Sequence, residues 1–214
     1  MKKQFTDEQY DVADKLVKSA NNKEYATSSM MKGFFKVRKV SNPEAEKVVE
    51  DETNYIVSTL ENLDSKEKFE VLDCVAQLGR YYSKLGVLEN FDNKKPLNAF
   101  TFLSRASVVV YETYYNYKLD TLLNELKGVE NYYLATEQLS SINKKFNDLD
   151  ERDQKYIMGR LSSHISKADE SLKNPKDYDE FKQASQNLRL FDAFKYATKP
   201  KQEHNVTTES ELEM

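Results

Sequence analysis

Residues 97–127 read LNAFTFLSRASVVVYETYYNYKLDTLLNELK. Val108, Tyr111, Tyr115, Leu119, Leu122 and Leu126 recur every three or four positions and mark one apolar stripe of a helix. Phe100, Leu103, Val110, Tyr114 and Tyr117 mark a second. What stays polar is a narrow spine of Asn98, Arg105, Glu112, Asn116, Asp120, Asn124 and Lys127. The spacing predicts one helix over 97–127, ~46 Å long at 1.5 Å per residue. A helix apolar around most of its circumference is enclosed by others, so this one is expected at the centre of the fold. A bilayer span needs about 20 mostly apolar residues. Arg105, Glu112 and the intervening Asn and Ser make the stretch a buried helix instead.

Outward from it, the same period continues on both sides. Gly128 ends the central helix. Tyr132, Ala135, Leu139, Ile142, Phe146 and Leu149 mark the next one, and Asp148 or Asp150 caps another that carries Ile157, Leu161, His164, Ala168 and Leu172. Asn174-Pro175 stops that helix, and a last one carries Phe181, Ala184, Leu188, Phe191 and Phe194.

On the N-terminal side, Thr6 and Gln9 form a capping box with Phe5 and Tyr10 as a staple. That helix runs toward a polar turn at Asn21-Asn22. Residues 27–40 are weaker, because Gly33 interrupts Met30, Phe34 and Val37. Asn42-Pro43-Glu44 starts a helix with the stripe Ala45, Val49, Ile56, Leu60 and Leu63. Asp64 and Glu67 then box a helix with Val71, Val75, Leu78, Tyr82 and Leu85, and residues 86–96 form the longest internal connection.

The expected fold is all-α: a globular bundle of seven or eight helices around a long central helix. With 214 residues the chain is long enough to bury ~70% of its unfolded surface. Five Gly and four Pro are too few for the turns of a sandwich or barrel. Residues 1–198 form the domain, with a subdomain division at 86–96 as the alternative. Residues 199–214, KPKQEHNVTTESELEM, have no periodicity and read as a polar, flexible tail.

The catalytic inventory is thin. Cys74 is the single cysteine, which excludes an internal disulfide framework and fits a reducing, cytoplasmic compartment. No apolar segment follows Lys2-Lys3, so no signal peptide is expected. His164 and His204 are the two histidines, and neither has an acid three positions before it, as a carboxylate-bridged metal centre in a bundle would need. No glycine-rich phosphate loop, G-x-S-x-G, H-E-x-x-H or C-x-x-C occurs. Cys74 and His164 read as packing residues, and Glu52 and Glu112 as carboxylates with apolar neighbours. No catalytic residue, metal or cofactor is therefore expected, nor enzymatic activity.

Two features point to partners. Tyr111, Tyr114, Tyr115, Tyr117, Tyr132 and Tyr133 fall within 23 residues, and tyrosine suits half-buried seams and protein interfaces. Adjacent tyrosines face different sides of a helix, so some of the six are expected at the surface, contacting a protein partner or a second copy. The other feature is basic: Lys23, Lys32, Lys36, Arg38 and Lys39 against Glu24 alone over residues 23–40. Two helices joined at Asn21-Asn22 over residues 6–40 have the outline of a helix-turn-helix. Lys32, Lys36, Arg38 and Lys39 would then be the nucleic-acid contacts. The net charge of −4 gives no general attraction to nucleic acid or anionic membrane. Twenty-six Lys against six Arg, with abundant Asn and Tyr, suggest an AT-rich coding sequence, as in a low-GC bacterium or one of its viruses.

Overall fold

Helix starts follow the capping residues. The Gln9 backbone N–H donates to Thr6 Oγ1 at 3.2 Å and the Thr6 N–H to Gln9 Oε1 at 3.0 Å, closing the first box. Phe5 is buried and meets Tyr10 edge-on, ring centroids 5.7 Å apart. The Ala45 N–H donates to Asn42 Oδ1 at 3.3 Å, with Pro43 just inside the helix. The Glu67 N–H donates to Asp64 Oδ1 at 2.8 Å, and the Glu180 N–H to Asp177 Oδ1 at 2.8 Å. Each bond satisfies a donor that the first turn of a helix leaves free.

The computed structural model describes residues 5–36, 42–85, 99–129, 131 and 135–199, with the side chains of 28–36, 81–85 and 99–105 outside that description. Among the described residues there are seven α-helices and no strand. They are α1 (Asp7–Lys36), α2 (Pro43–Glu61), α3 (Ser65–Leu85), α4 (Ala99–Leu123), α5 (Thr136–Asn147), α6 (Glu151–Lys173) and α7 (Tyr178–Thr198). No helix among the described residues is long and apolar enough to cross a membrane. The flexible tail expected at 199–214 falls, beyond Lys199, outside the described residues.

Two expected boundaries are corrected. No turn interrupts α1 at Asn21-Asn22; one helix continues through Gly33 to Lys36. Asparagine disfavours a helix interior by only about 0.5 kcal/mol, and tertiary bonds hold these turns. Ser19 Oγ donates to the Glu52 carboxylate, and Asn22 Nδ2 donates to Glu52 Oε1 at 2.9 Å, clasping α1 to α2. The helix-turn-helix outline therefore loses its turn. The central helix also ends early: α4 stops at Leu123, and a 3-10 turn over Asn124–Leu126 carries the chain to Gly128. Gly128 takes φ +81°, a left-handed conformation open to glycine without strain.

The chain divides into two compact units, residues 1–120 with 155–160, and residues 121–154 with 161–214. The division falls within α4 and α6, and residues 86–96, where the alternative placed it, lie outside the described residues. In the first unit α4 is the central element. Lys23 of α1 donates to its Thr113, Lys118 pairs with Glu61 of α2 at 2.8 Å, and Lys68 of α3 lies over the Tyr114 ring. Tyr156 and Arg160 of α6 cover a further side. The core comprises Leu16 and Val17 of α1, Ile56 and Leu60 of α2, Leu72 and Val75 of α3, and Val110 and Leu119 of α4. Cys74 is buried there as a small apolar side chain, and burial pushes its thiol up to about 11. Gln9 Nε2 also donates to Glu70 Oε2 at 2.6 Å, so the cap of α1 ties that helix to α3.

In the second unit α5 packs against α7. Phe146 and Phe194 meet edge-on at 5.9 Å over a core with Leu126, Ile142, Leu161 and Phe191. Asn143 Nδ2 donates to the Ala197 carbonyl at 2.6 Å and satisfies the last turn of α7. Lys145 pairs with Glu125.

Candidate functional site

The polar spine of α4 is where side chains converge. Val109, Glu112, Thr113, Asn116, Tyr117 and Asp120 recur at helical spacing and form one face of α4. With Lys23, Glu24 and Thr27 of α1 and Thr53 of α2 they line a cleft of about 450 Å³ in the first unit. At one end the Lys23 ammonium donates to Thr113 Oγ1 at 2.9 Å. Thr113 is buried and Lys23 is half-buried, and burial holds the lysine below its usual pKa, because the charged form loses water. On the other flank of the spine, Arg160 Nη1 lies 2.7 Å from Glu112 Oε1 and Arg160 Nε donates to Asn116 Oδ1 at 2.9 Å. The Thr27 and Thr53 hydroxyls donate to the carbonyls of Lys23 (2.9 Å) and Val49 (2.6 Å).

The tyrosines of α4 separate into core and surface. Tyr114 and Tyr115 are 2% and 0% exposed, so they pack the core and cannot form a surface interface, a correction to the expectation for these two. Their rings meet at 5.1 Å, and Tyr115 stacks on Tyr156 at 4.8 Å. Tyr111 is half-buried and 5.4 Å from Tyr156. Tyr117, 41% exposed, is the member of this group that opens to solvent, at the cleft. Tyr132 and Tyr133 lie outside the described residues, as do Arg38 and Lys39 and the side chains of Lys32 and Lys36.

Exposed aromatic surface is carried by α7 as well. Tyr178 and Phe181, one turn apart, are 75% and 45% exposed, and Tyr196 is 69% exposed. In the second unit His164, Lys167, Ser171, Glu180, Gln183 and Phe191 line a groove of about 260 Å³. His164 packs against Phe191 at 6.0 Å, as a core-edge histidine does. Ser171 and the Lys176 N–H both bond the Glu180 carboxylate, and the N–H, with the Ser171 hydroxyl, holds it below the usual carboxylate range. Among the described residues no group of three or more His, Cys, Asp or Glu gathers where a metal could be held.

Sequence reasoning found Glu112 and Tyr117 but not their setting. Lys23 entered only as one charge in a basic run, and Arg160, Tyr156 and the α7 aromatics were not singled out. Nothing local marks them, because each acquires its partner from a different helix. No protein-family model, curated protein or solved structure matches the chain.

Proposed function

We propose that the protein is a non-enzymatic, cytoplasmic helical protein that acts by binding protein chains, through self-assembly or by modulating a partner. The carrying observation is the aromatic surface at the start of α7, where Tyr178 and Phe181 lie open one helical turn apart. Large aromatic side chains gain most from being covered by a partner, and a polar rim surrounds these two: Asp177, Asp179, Glu180 and Lys182. Tyr196 on the same helix adds a third exposed ring. A lone, buried thiol in an interior otherwise free of cysteine supports the reducing compartment.

Size-exclusion chromatography with light scattering over a concentration series tests the reading. The expected result is a mass that rises above the 24.9 kDa of one chain, or a stable complex with a protein of the native extract. The Tyr178→Ser/Phe181→Ser pair should lower either association. A strict monomer that captures no protein from that extract overturns it.

A further inference from the structure

Helix α7 carries a second periodic stripe, opposite its buried face. Ala184, Phe191, Phe194 and Ala197 turn inward. Tyr178, Lys182, Ser185, Arg189, Asp192 and Tyr196 follow one another along the outer side at alternating steps of four and three residues. Ser185 is half-buried and the others are exposed. That alternation is the spacing of a coiled-coil seam. The two tyrosines at its ends lie in line, ~27 Å apart along the axis. The stripe is self-complementary when reversed about its midpoint at Asn187. Against an antiparallel second copy, Tyr178 meets Tyr196, Lys182 meets Asp192 and Ser185 meets Arg189, each pair occurring twice by symmetry. A parallel copy would set Lys182 against Lys182 and Arg189 against Arg189, like charge on like. Among the described residues, Lys182, Arg189 and Asp192 form no ion pair within the chain.

We infer that the partner of the α7 surface is a second copy of this chain, bound antiparallel through this stripe in a two-fold dimer. The inference rests on the protein-binding reading above and specifies its partner. The tyrosines at the two ends, with Phe181 beside Tyr178, cover one another's rings. The two Lys182–Asp192 pairs between them fix direction and register, and Arg189 donates to the Ser185 hydroxyl of the other copy. A single helix pair is a small interface, so the dimer dissociates in about the micromolar range.

Light scattering of the full chain up to about 200 µM should show the mass approach twice 24.9 kDa. Lys182→Asp sets acid against Asp192 of the other copy and should weaken the dimer by about tenfold or more. Adding Asp192→Lys to it restores opposite charges and should bring affinity back within about threefold. Direction is read by oxidising Tyr178→Cys mixed with Tyr196→Cys, using copper phenanthroline. The mixture should give a disulfide-linked dimer with one chain of each, and neither variant alone should, while the buried Cys74 does not compete. All of these positions are exposed, and the unaltered chain gives its mass whether or not a variant folds. A monomer at 200 µM overturns the inference. So does a dimer unchanged in a folded Lys182→Asp variant, or cross-linking of Tyr178→Cys with itself. A monomer that still captures a protein of the extract through Tyr178 and Phe181 sinks the dimer alone and leaves the protein-binding reading standing.

Discussion

Arg160 on α6 grips two residues of α4 at once, with Nη1 2.7 Å from Glu112 Oε1 and Nε 2.9 Å from Asn116 Oδ1. Glu112 and Asn116 are one helical turn apart, so the planar guanidinium spans the turn and fixes the register of residues 155–160 against α4. Arg160 is mostly buried, whereas Glu112 is half-open, so the pair is worth more than a surface ion pair and less than an enclosed one. Arg160→Met is expected to lower stability by about 1–2 kcal/mol. In urea unfolding, a double-mutant cycle with Glu112→Gln should return a coupling of about 1 kcal/mol.

Tyr115 and Tyr117 are two residues apart and should respond oppositely to truncation. Tyr115 is fully buried among Tyr111, Tyr114 and Tyr156. Tyr115→Ala should lower stability by about 3–5 kcal/mol, a large part of what a domain has. Tyr117→Ala should stay within about 0.5 kcal/mol in the same measurement. Equal losses at the two positions would contradict the division into core and surface.

Cys74 gives a pH signature. Burial raises its thiol from 9.0 to about 11, so between these values the unfolded chain has lost the proton that the folded chain retains. The unfolded state then binds fewer protons, and stability falls as pH rises. The contribution is fully present below about pH 9 and declines toward pH 11. Wild type compared with Cys74→Ala by urea unfolding at pH 8 and 10.5 isolates it, and the wild type should lose more stability over that interval. The folded thiol should also resist a disulfide-exchange reagent at pH 8 and react only after denaturation, because it is protonated and enclosed.

The start of α7 is held by two linked bonds. Asp177 accepts from the Glu180 N–H, and Glu180 accepts from the Lys176 N–H, both at 2.8 Å. Asp177→Ala should lower stability by about 1 kcal/mol, and Asp177→Asn by less. Glu180 is held below the usual carboxylate range by that N–H and by Ser171. Its contribution is present above that range and is lost as pH falls below it, through the lowered folded value. The acid limb of the stability profile should therefore flatten in Glu180→Gln.

Local chemistry was legible before any contact was known. The capping boxes at Thr6 and Asp64, proline at the head of α2, glycine after α4 and the apolar periods each involve residues within a few positions of one another. Their geometry is set by a single turn of helix, and together they determined the all-α class and most helix bounds. The tertiary structure alone decided what depends on distant partners. Helix α1 passes through Asn21-Asn22 because Glu52 of α2 holds Ser19 and Asn22. On α4, apolar nearly all round, periodicity could not orient neighbouring tyrosines, and packing against Tyr156 and Lys68 sent Tyr114 and Tyr115 inward and left Tyr117 open. Lys23 likewise became more than one charge in a basic run only when α1 was laid against Thr113, since burial and proximity are properties of the fold.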